Sequence, residues 1–326
     1  MFYILMVIVM KKKFSILVAS KDNAEHLKNF LESLLKNGYF AKRNVEVIIV
    51  DNASKTSQVK NVCNNYPVNY VFEPAVGKSN ALNKGLTLCS GEYVVFTDDD
   101  VIIDDTRWLE KLYSCFQKSK HIAYVSGNVV AYEKRTSSQK SWEKKGGLSK
   151  GVADKFFTKK YLSSFNFLPW PLTKICAGAN CMIKKEALLK VGGFNKYFGP
   201  GAVIGHGESL LIGYELMRKG YELYYSSQAC VLHKHPKTSG ELKKKLFLYA
   251  TGDTGIHMFL FFKYLDFRSL MWACGGHQIY VFKNLMNWFI GKYHLPPKYT
   301  IHSLLGSFFG TIKFLYLLLL RKIRMK

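Results

Sequence analysis

The sequence lacks the cysteine pattern of a disulfide scaffold or of a zinc site. Its seven cysteines are scattered over 326 residues, their number is odd, and no two of them form a CxxC pair. Isolated thiols of this kind are typical of a reducing, cytosolic compartment. We therefore expect neither disulfide bonds nor a zinc cluster to stabilise the fold.

Acidic residues are scarce: 23 aspartates and glutamates stand against 47 lysines and arginines, which gives a formal net charge of +24. Such an excess predicts an anionic partner, which can be nucleic acid, acidic lipid or a phosphorylated ligand. The hydrophobic content of 48% and the aromatic content of 15% exclude a disordered chain. Because the sequence contains no RNP, zinc-finger or helix-turn-helix pattern, we expect no nucleic-acid partner.

Long hydrophobic runs are also few. The N-terminal run Met1–Met10 contains ten residues, well short of the roughly 20 that are needed to cross a bilayer. Lysines follow this run instead of preceding it, which does not fit a signal peptide. We expect either that the natural start is Met10 or that the run forms a short extra strand or an apolar tail.

The C-terminal third has a different composition. Basic residues are interleaved there with Phe, Trp, Tyr and Leu, as in helices that lie in a membrane interface. The apolar segment 301–320 carries His302 and Lys313, so it either crosses a membrane marginally or lies flat on it. We predict attachment to an anionic membrane surface on the cytoplasmic face of the cell membrane, peripheral or through this one segment. A soluble helical subdomain is the alternative.

Strand and helix patterns alternate over residues 14–127. Short apolar runs predict strands, and amphipathic spacing predicts helices. The predicted strands are residues 14–20, 45–50, 68–72 and 93–97, and the predicted helices are residues 23–36 and 79–89. This alternation predicts an α/β fold with a mostly parallel sheet and helices on both faces. Ligands of such sheets bind beyond the carboxyl ends of the strands, where Ser20, Asp51 and the triplet Asp98-Asp99-Asp100 fall.

Residues 131–174 interrupt the alternation with Lys, Ser and Gly mixed with aromatic residues. We interpret them as a mobile insertion over the sheet. Trp142 and Trp170 in this insertion either stack on a bound ligand or pack the loop down. Beyond it, the pattern predicts helices at residues 186–191 and 208–219, and strands at residues 222–225 and 229–233 joined by a turn.

The aspartate triplet is the most informative local feature. Adjacent carboxylates repel each other unless a cation neutralises them, and hard oxygen ligands suit Mg²⁺ or Mn²⁺ holding a diphosphate. A solvated acidic turn that caps the next helix is the alternative. The turn at Gly77-Lys78 opens a helix and so favours phosphate, although it is not a Walker A motif. Asp51 is either a hydrogen-bond acceptor for a base or ribose, or an ordinary turn residue.

Several motifs in a fixed order carry a resemblance to a known family. They are Ser15-Ile-Leu-Val-Ala-Ser-Lys-Asp-Asn, Val47-Ile-Ile-Val-Asp-Asn-Ala-Ser, Gly77-Lys-Ser-Asn-Ala-Leu-Asn-Lys-Gly, Gly91-Glu-Tyr-Val-Val-Phe-Thr-Asp-Asp-Asp, Gly178-Ala-Asn-Cys-Met-Ile, Val191-Gly-Gly-Phe, Phe198-Gly-Pro-Gly and Gly205-His-Gly-Glu-Ser. Over residues 14–235 the sequence resembles the family 2 glycosyltransferases, which are inverting nucleotide-sugar enzymes with the Rossmann-like GT-A fold.

The resemblance implies that Asp51 contacts the nucleotide base, and that Asp98 and Asp100 form the DxD pair on the ribose and the metal-bridged diphosphate. It also implies a place for His233 in the metal shell, for which His235 is a competitor. The implied cofactor is a divalent cation, Mg or Mn. The full predicted set is Ser20, Asp51, Lys78, Asn83, Asp98 and Asp99 for donor binding, and Asp98, Asp100 and His233 for the metal.

One position departs from the family pattern. The family usually has Glu-Asp where this chain has Glu208-Ser209, and the aspartate of that pair is commonly the general base. Serine cannot accept the proton at neutral pH. Either Glu208 replaces it, or His206 or another group does, or the chain is a catalytically silent nucleotide- or glycan-binding relative. We predict Glu208 as the catalytic base, and we expect Glu215 at the surface.

These observations predict two parts. Residues 10–235 form a GT-A glycosyltransferase domain with an insertion at about 131–174, and residues 236–326 form a helical membrane-associating region. The predicted activity is metal-assisted, inverting transfer of a sugar from a nucleotide-diphosphate-sugar to a hydroxyl of a glycan or lipid-linked acceptor. Cell-surface polysaccharide synthesis is the process we expect it to serve.

Overall fold

The computed structural model describes residues 12–163, 173, 176–292 and 295–322. The predictions for Met1–Met10 and Trp170 lie outside the described residues. The strands are β1 Phe14–Ser20, β2 Val45–Asn52, β3 Asn69–Glu73, β4 Tyr93–Asp98, β5 Val101–Ile102, β6 Ile122–Ala131, β7 Lys155–Phe157, β8 Asn180–Lys184 and β9 Glu222–His233. The helices are α1 Ala24–Lys36, α2 Gln58–Cys63, α3 Lys78–Leu88, α4 Trp108–Ser114, α5 Ser137–Lys145, α6 Lys159–Ser163, α7 Lys185–Lys190, α8 Glu208–Arg218, α9 Ser239–Tyr264, α10 Phe267–Met271, α11 His277–Phe289 and α12 Pro297–Leu319, with a π-helical turn between α10 and α11.

All nine strands belong to one sheet in the order β3-β2-β1-β4-β8-β6-β9-β5, with β7 added to β9. The pairs β2–β3, β1–β2, β1–β4 and β6–β9 are parallel. β8 joins the two parallel blocks because it pairs antiparallel with both β4 and β6. The predicted fold class, α/β with a mostly parallel sheet, is confirmed.

Helices cover both faces of the first parallel block. Alternate residues of β1 point to opposite faces, so Ile16 and Val18 pack in one apolar cluster with Phe30 of α1. Leu17 faces the other way and packs with Leu82 of α3. These residues are at most 2% exposed, as expected for strands that are buried on both faces.

Two predictions for the second half of the sheet are wrong. The turn expected within residues 222–233 does not exist, because β9 is one strand of 12 residues. Its register against β6 shifts after Ser226 pairs with Gly127, and Cys230 pairs with Asn128, so a bulge absorbs Ser227, Gln228 and Ala229. The insertion is also more regular than expected, since it contains α5, α6 and β7, which pairs antiparallel with β9.

The C-terminal helices dock onto the sheet domain through α8 and α9. Glu215 of α8, which was expected at the surface, is 9% exposed and accepts hydrogen bonds from Lys263 Nζ at 2.8 Å and from the Tyr264 hydroxyl. The prediction for Glu215 is therefore wrong, because the end of α9 covers this face of α8. Such a largely buried ion pair fixes one helix against another, since separating the partners would leave a charge uncompensated.

Helix α12 packs against α9 at very short range. A Cβ atom on Gly310 would lie 2.1 Å from Thr254 Oγ1 and 2.3 Å from the Thr251 carbonyl oxygen, and one on Gly306 would lie 2.2 Å from the Phe247 carbonyl oxygen. Among the described residues, α12 is the helix that is long and apolar enough to cross a membrane, and 33% of its apolar window is buried. The other residues of that window are partly or fully exposed.

The packing of α12 on α9 gives a first prediction. We expect Gly310→Ala to lower the free energy of unfolding by about 1–3 kcal/mol, because the added methyl overpacks a backbone contact. Thermal unfolding of detergent-purified protein, followed by tryptophan fluorescence, measures this. Gly275→Ala is the matched control, since nothing lies within 4 Å of the added Cβ there. Equal unfolding midpoints for the two variants would contradict the packing described here.

Candidate active site

Five of the predicted site residues line a cleft of about 750 Å³ at the carboxyl ends of the strands: Lys78, Asp98, Asp100, Glu208 and His233. Asp98 and Asp100 lie on its floor, Glu208 enters from the start of α8, and Tyr249 of α9 forms part of the opposite wall. A convergence of strand ends is where α/β sheets bind ligands. The cleft is therefore bounded by both the sheet domain and the first C-terminal helix.

Asp98, Asp100 and His233 form a cluster that can hold a metal ion. One ligand atom from each lies within 4.8 Å of the others. His233 is the last residue of β9 and pairs in register with Val101, which brings its ring to the aspartates. Its Nε2 atom is 3.3 Å from Asp100 Oδ1 and 3.7 Å from Asp98 Oδ2.

The donor chemistry of this cluster fits a divalent cation. His233 Nδ1 donates a hydrogen bond to the Lys234 carbonyl oxygen at 2.7 Å, which orients the ring so that Nε2 faces the two carboxylates. Asp100 Oδ1 is buried and has no hydrogen-bond partner among the residues that the structure describes. Two carboxylates held this close repel each other, and a divalent cation between them removes that repulsion.

Asp99 turns away from this cluster. Its carboxylate accepts hydrogen bonds from Ser20 Oγ at 2.6 Å and from Asn23 Nδ2 at 2.9 Å. Burial, reinforced by the neighbouring Asp100 carboxylate, raises the pKa of Asp99 to about 7. Asp99 and Ser20 thus tie the aspartate triplet to the end of β1, while Asp98 and Asp100 face the cleft.

Lys78, the first residue of α3, connects the acidic groups. Its ammonium forms an ion pair with Asp98 and lies 3.6 Å from Glu208 Oε1. Burial opposes the charge on Lys78, but the two carboxylates outweigh burial and raise its pKa above the ordinary value. Burial likewise opposes ionisation of Asp98, and Lys78 together with His233 holds the pKa of Asp98 well below its usual range.

Glu208 has one carboxylate oxygen without a partner in the described part of the chain. The residue is 5% exposed, and its Oε2 atom is buried with no hydrogen bond. Ser209 is beside it and lines the same cleft. His206 stacks on Tyr249 with 3.9 Å between ring centroids, and burial lowers its pKa to about 4.

Helix α9 presses directly on the loop that leads to Glu208. A Cβ atom on Gly252 would lie 2.7 Å from the His206 carbonyl oxygen, so only glycine permits this approach. The wall that α9 contributes, with Tyr249 and Lys245, was not predicted from the sequence. The available signal was the short distance along the chain between His233 and the capping residue Thr238, which places α9 at the cleft.

Two predicted donor-binding residues are placed outside the floor of the cleft. Asp51 is 2% exposed and accepts hydrogen bonds from the Tyr70 hydroxyl and the Ser54 amide, each at 3.0 Å. Asn83 donates to the Phe194 carbonyl oxygen at 2.7 Å and accepts from the Phe194 amide at 2.8 Å. Both side chains are engaged by the protein itself.

Two further candidates from the sequence are also engaged elsewhere. His235 Nε2 lies 2.8 Å from Glu143 Oε1, so the His235 ring contacts α5. The metal cluster contains His233 and not His235. Trp142 is 3% exposed and packs edge-on against Tyr249, with 5.6 Å between ring centroids. This contact packs the insertion against α9. Trp142 also lines one side of the cleft.

Comparison with known proteins agrees with this architecture. Poly-beta-1,6-N-acetyl-D-glucosamine synthase of Staphylococcus epidermidis is 26% identical over 274 residues, which are 81% of this chain and 55% of that protein. The Staphylococcus aureus synthase is 24% identical over 275 residues, covering 81% of this chain and 54% of that protein. The chain thus spans about half the length of the curated relatives it matches.

A solved structure has the same fold. The mannosyltransferase PcManGT from Pyrobaculum calidifontis, in complex with GDP-Man and Mn²⁺, superposes with a TM-score of 0.60 at 16% identity, over 94% of this chain and 88% of that one. The family model described as glycosyl transferase family 2 matches residues 15–192. Because that match covers more than half of the sequence, the chain belongs to glycosyl transferase family 2 and is a glycosyltransferase.

Proposed function

We propose that this glycosyltransferase moves a sugar from a nucleotide-diphosphate-sugar to a hydroxyl of a glycan or lipid-linked acceptor, with inversion and with help from a divalent cation. The observation that carries the proposal is the meeting of Asp98, Asp100, His233, Lys78 and Glu208 in one cleft. The names of the staphylococcal relatives and the GDP-Man and Mn²⁺ of the structural neighbour support it. Cell-surface polysaccharide synthesis is the process that we propose.

The donor end of the cleft is the aspartate triplet. In the proposal, Asp98, Asp100 and His233 hold Mg²⁺ or Mn²⁺, which when bound offsets the charge on the departing diphosphate. Lys78 adds a fixed positive charge beside Asp98. The proposed donor-binding set remains Ser20, Asp51, Lys78, Asn83, Asp98 and Asp99.

Three members of that set act through their protein contacts. Ser20 holds Asp99 in place. Asp51 holds Ser54 and Tyr70 around the base position, at the point where β2 ends next to Ser20. Asn83 fixes the backbone of Phe194, which follows the Gly192-Gly193 turn. A ligand can reach Asp51 only where it displaces or joins these hydrogen bonds, because the side chain is buried.

Glu208 is the proposed catalytic base. Glu208 lines the cleft, and Lys78 places its positive charge 3.6 Å from Oε1, so the Glu208 carboxylate is held beside the position proposed for the acceptor hydroxyl. As the hydroxyl oxygen attacks the sugar carbon, its proton passes to Glu208 and the diphosphate leaves with the bonding electrons. Attack from the face opposite to the leaving diphosphate inverts the configuration at that carbon.

Residues 236–326 are the proposed membrane-associating region, and residues 10–235 are the proposed glycosyltransferase domain. The support is an apolar stripe of large exposed side chains along α11 at spacings of three and four residues: Ile279, Phe282, Met286 and Phe289, which are 50–68% exposed. Exposed apolar area of this kind marks a binding surface. Together with the basic composition, it favours an anionic membrane surface at the cytoplasmic face, with α12 either lying on the membrane or crossing it.

The metal cluster can be tested by binding. We expect titration with UDP or GDP to show binding that requires Mn²⁺, and Asp100→Asn to weaken it by about tenfold or more, because one hard ligand is lost. Isothermal titration calorimetry of detergent-purified protein measures this. Asp104→Asn is the matched control, since Asp104 is exposed and outside the cluster. Metal-independent binding of the nucleotide, unaffected by Asp100→Asn, would overturn the cluster's role.

The base can be tested by turnover. We expect Glu208→Gln to lower kcat by about 10²- to 10⁴-fold while nucleotide binding persists, since proton transfer is removed but the donor end is intact. The exposed Glu186 provides the control variant Glu186→Gln.

Ser209→Asp distinguishes an active enzyme from a silent binding relative. If Glu208 is the base, a second carboxylate in this buried position gives no gain or a loss of turnover. A large gain with Ser209→Asp would instead show that the chain has lost its base.

The membrane surface can be tested with vesicles. We expect wild-type protein to co-sediment more strongly with phosphatidylcholine vesicles that contain phosphatidylglycerol than with neutral ones. Phe282→Glu with Phe289→Glu is expected to reduce this binding by about tenfold or more, because two apolar contacts are lost. Leu35→Glu with Leu189→Glu is the control, since both leucines are exposed on the sheet domain. Stronger binding to neutral vesicles would contradict the proposal.

A further inference from the structure

The active-site cleft carries an unbalanced positive charge. Seven lysines line it against four carboxylates, and Lys78 already interacts with two of those carboxylates, Asp98 and Glu208. In the proposed reaction the cation adds positive charge, which the diphosphate of the donor offsets. The surplus of lysines therefore remains after the donor site has been filled.

Five of these lysines have no salt-bridge partner among the described residues, whereas Lys237 pairs with Glu133 at 3.4 Å. We call the five the lysine wall. Its members are Lys145, Lys150, Lys234, Lys244 and Lys245. Like charges collected in one cavity raise the energy of the folded protein unless a ligand compensates them. Five uncompensated lysines in one cavity therefore indicate a binding site for an anionic ligand and not a structural role.

An aromatic ring positions two members of the lysine wall. Lys145 Nζ lies 5.5 Å from the ring centre of Trp142, and Lys245 Nζ lies 4.9 Å from the same ring. Lys245 Nζ is also 5.6 Å from the ring centre of Tyr249. A cation–π contact orients an ammonium group but supplies no opposite charge, so these rings do not neutralise either ammonium group. Trp142 itself is buried and fixed by Tyr249.

The lysine wall adjoins the proposed base. Tyr249, one turn after Lys245 on α9, stacks on His206, and His206 precedes Glu208 by two residues. An acceptor whose anionic group rests on the lysine wall thus has Glu208 nearby, where its hydroxyl must lie to be deprotonated. The anionic group of the acceptor and its reacting hydroxyl therefore occupy neighbouring parts of the cleft.

From these contacts we infer that the acceptor carries a phosphate group, which Lys145 and Lys245 bind with help from Lys150, Lys234 and Lys244. The inference rests on the proposed function, since it assigns the acceptor of that same reaction. Lysine is a point charge with three donors and suits a phosphate whose oxygens can be approached from several sides. The phosphate belongs either to a lipid headgroup or to a soluble phosphorylated glycan.

The test uses the full chain in a neutral detergent, saturated with Mn²⁺ and with whichever of UDP and GDP binds, so that the donor site is filled. Inorganic phosphate is then titrated calorimetrically. We expect saturable binding to wild type, and binding at least about tenfold weaker to Lys145→Gln/Lys245→Gln, because two charge-assisted contacts are lost. Lys140→Gln/Lys243→Gln is the matched control on the same two helices, and it should bind phosphate like wild type.

Nucleotide binding separates this proposal from the proposed function. If the double variant loses Mn²⁺-dependent nucleotide binding as strongly as phosphate binding, the lysines serve the donor and the inference is overturned. Equal phosphate binding by the two double variants also overturns it. If no nucleotide binds to wild type, the proposed function fails, whereas the phosphate titration with Mn²⁺ alone still reports on the lysine wall.

Competition identifies the source of the phosphate. Lysophosphatidic acid and glycerol 3-phosphate are each added against inorganic phosphate, with monoacylglycerol as the uncharged control. Stronger competition by lysophosphatidic acid supports a phosphorylated lipid, and equal competition by the two phosphates supports a soluble phosphorylated glycan. Competition by monoacylglycerol alone would show that apolar contact, and not phosphate, determines binding, and would overturn the inference.

Discussion

The ion pairs of Lys78 are the interaction on which the cleft depends. This one ammonium group, at the start of α3, contacts Asp98 at the end of β4 and approaches Glu208 at the start of α8. The consecutive elements α3 and β4 are thereby held at one point with α8, which comes much later in the chain. The place is largely buried, so removing one partner leaves the other charges uncompensated. The donor end and the base share this contact, so the two halves of the proposed reaction have a common electrostatic support.

Much of the fold could be predicted because the local sequence patterns agree with the geometry of the whole sheet. The apolar run of β1 is buried on both faces, and the strand ends of a parallel sheet converge, which brings Asp98 and His233 together. The course of β9 was not predictable from its polar residues, because the bulge after Ser226 depends on the register of β6. In the site, the hydrogen bond between Asp99 and Ser20 could not be predicted from the sequence either, because the two residues are 79 positions apart.

The contribution of α9 shows why the remainder of the site could not be predicted from the sequence. Its composition indicates a membrane-interface helix, and that composition does not reveal that Lys245 and Tyr249 face the cleft. Their position follows from tertiary contacts: Gly252 against the His206 backbone, and Lys263 with Glu215. A helix that belongs to the C-terminal region by composition therefore belongs to the active site by packing. The amino-acid composition changes near residue 236, but the cleft has walls on both sides of that boundary.

The short connection between β9 and α9 has a geometric consequence. Thr238, whose side chain caps α9, follows His233 by five positions, and an extended chain of that length reaches at most about 17 Å. If the C-terminal helices attach to the membrane as proposed, this short connection keeps the reaction centre close to them. On the same proposal, the reacting hydroxyl of an acceptor has to meet Glu208 within a fixed distance of the membrane surface.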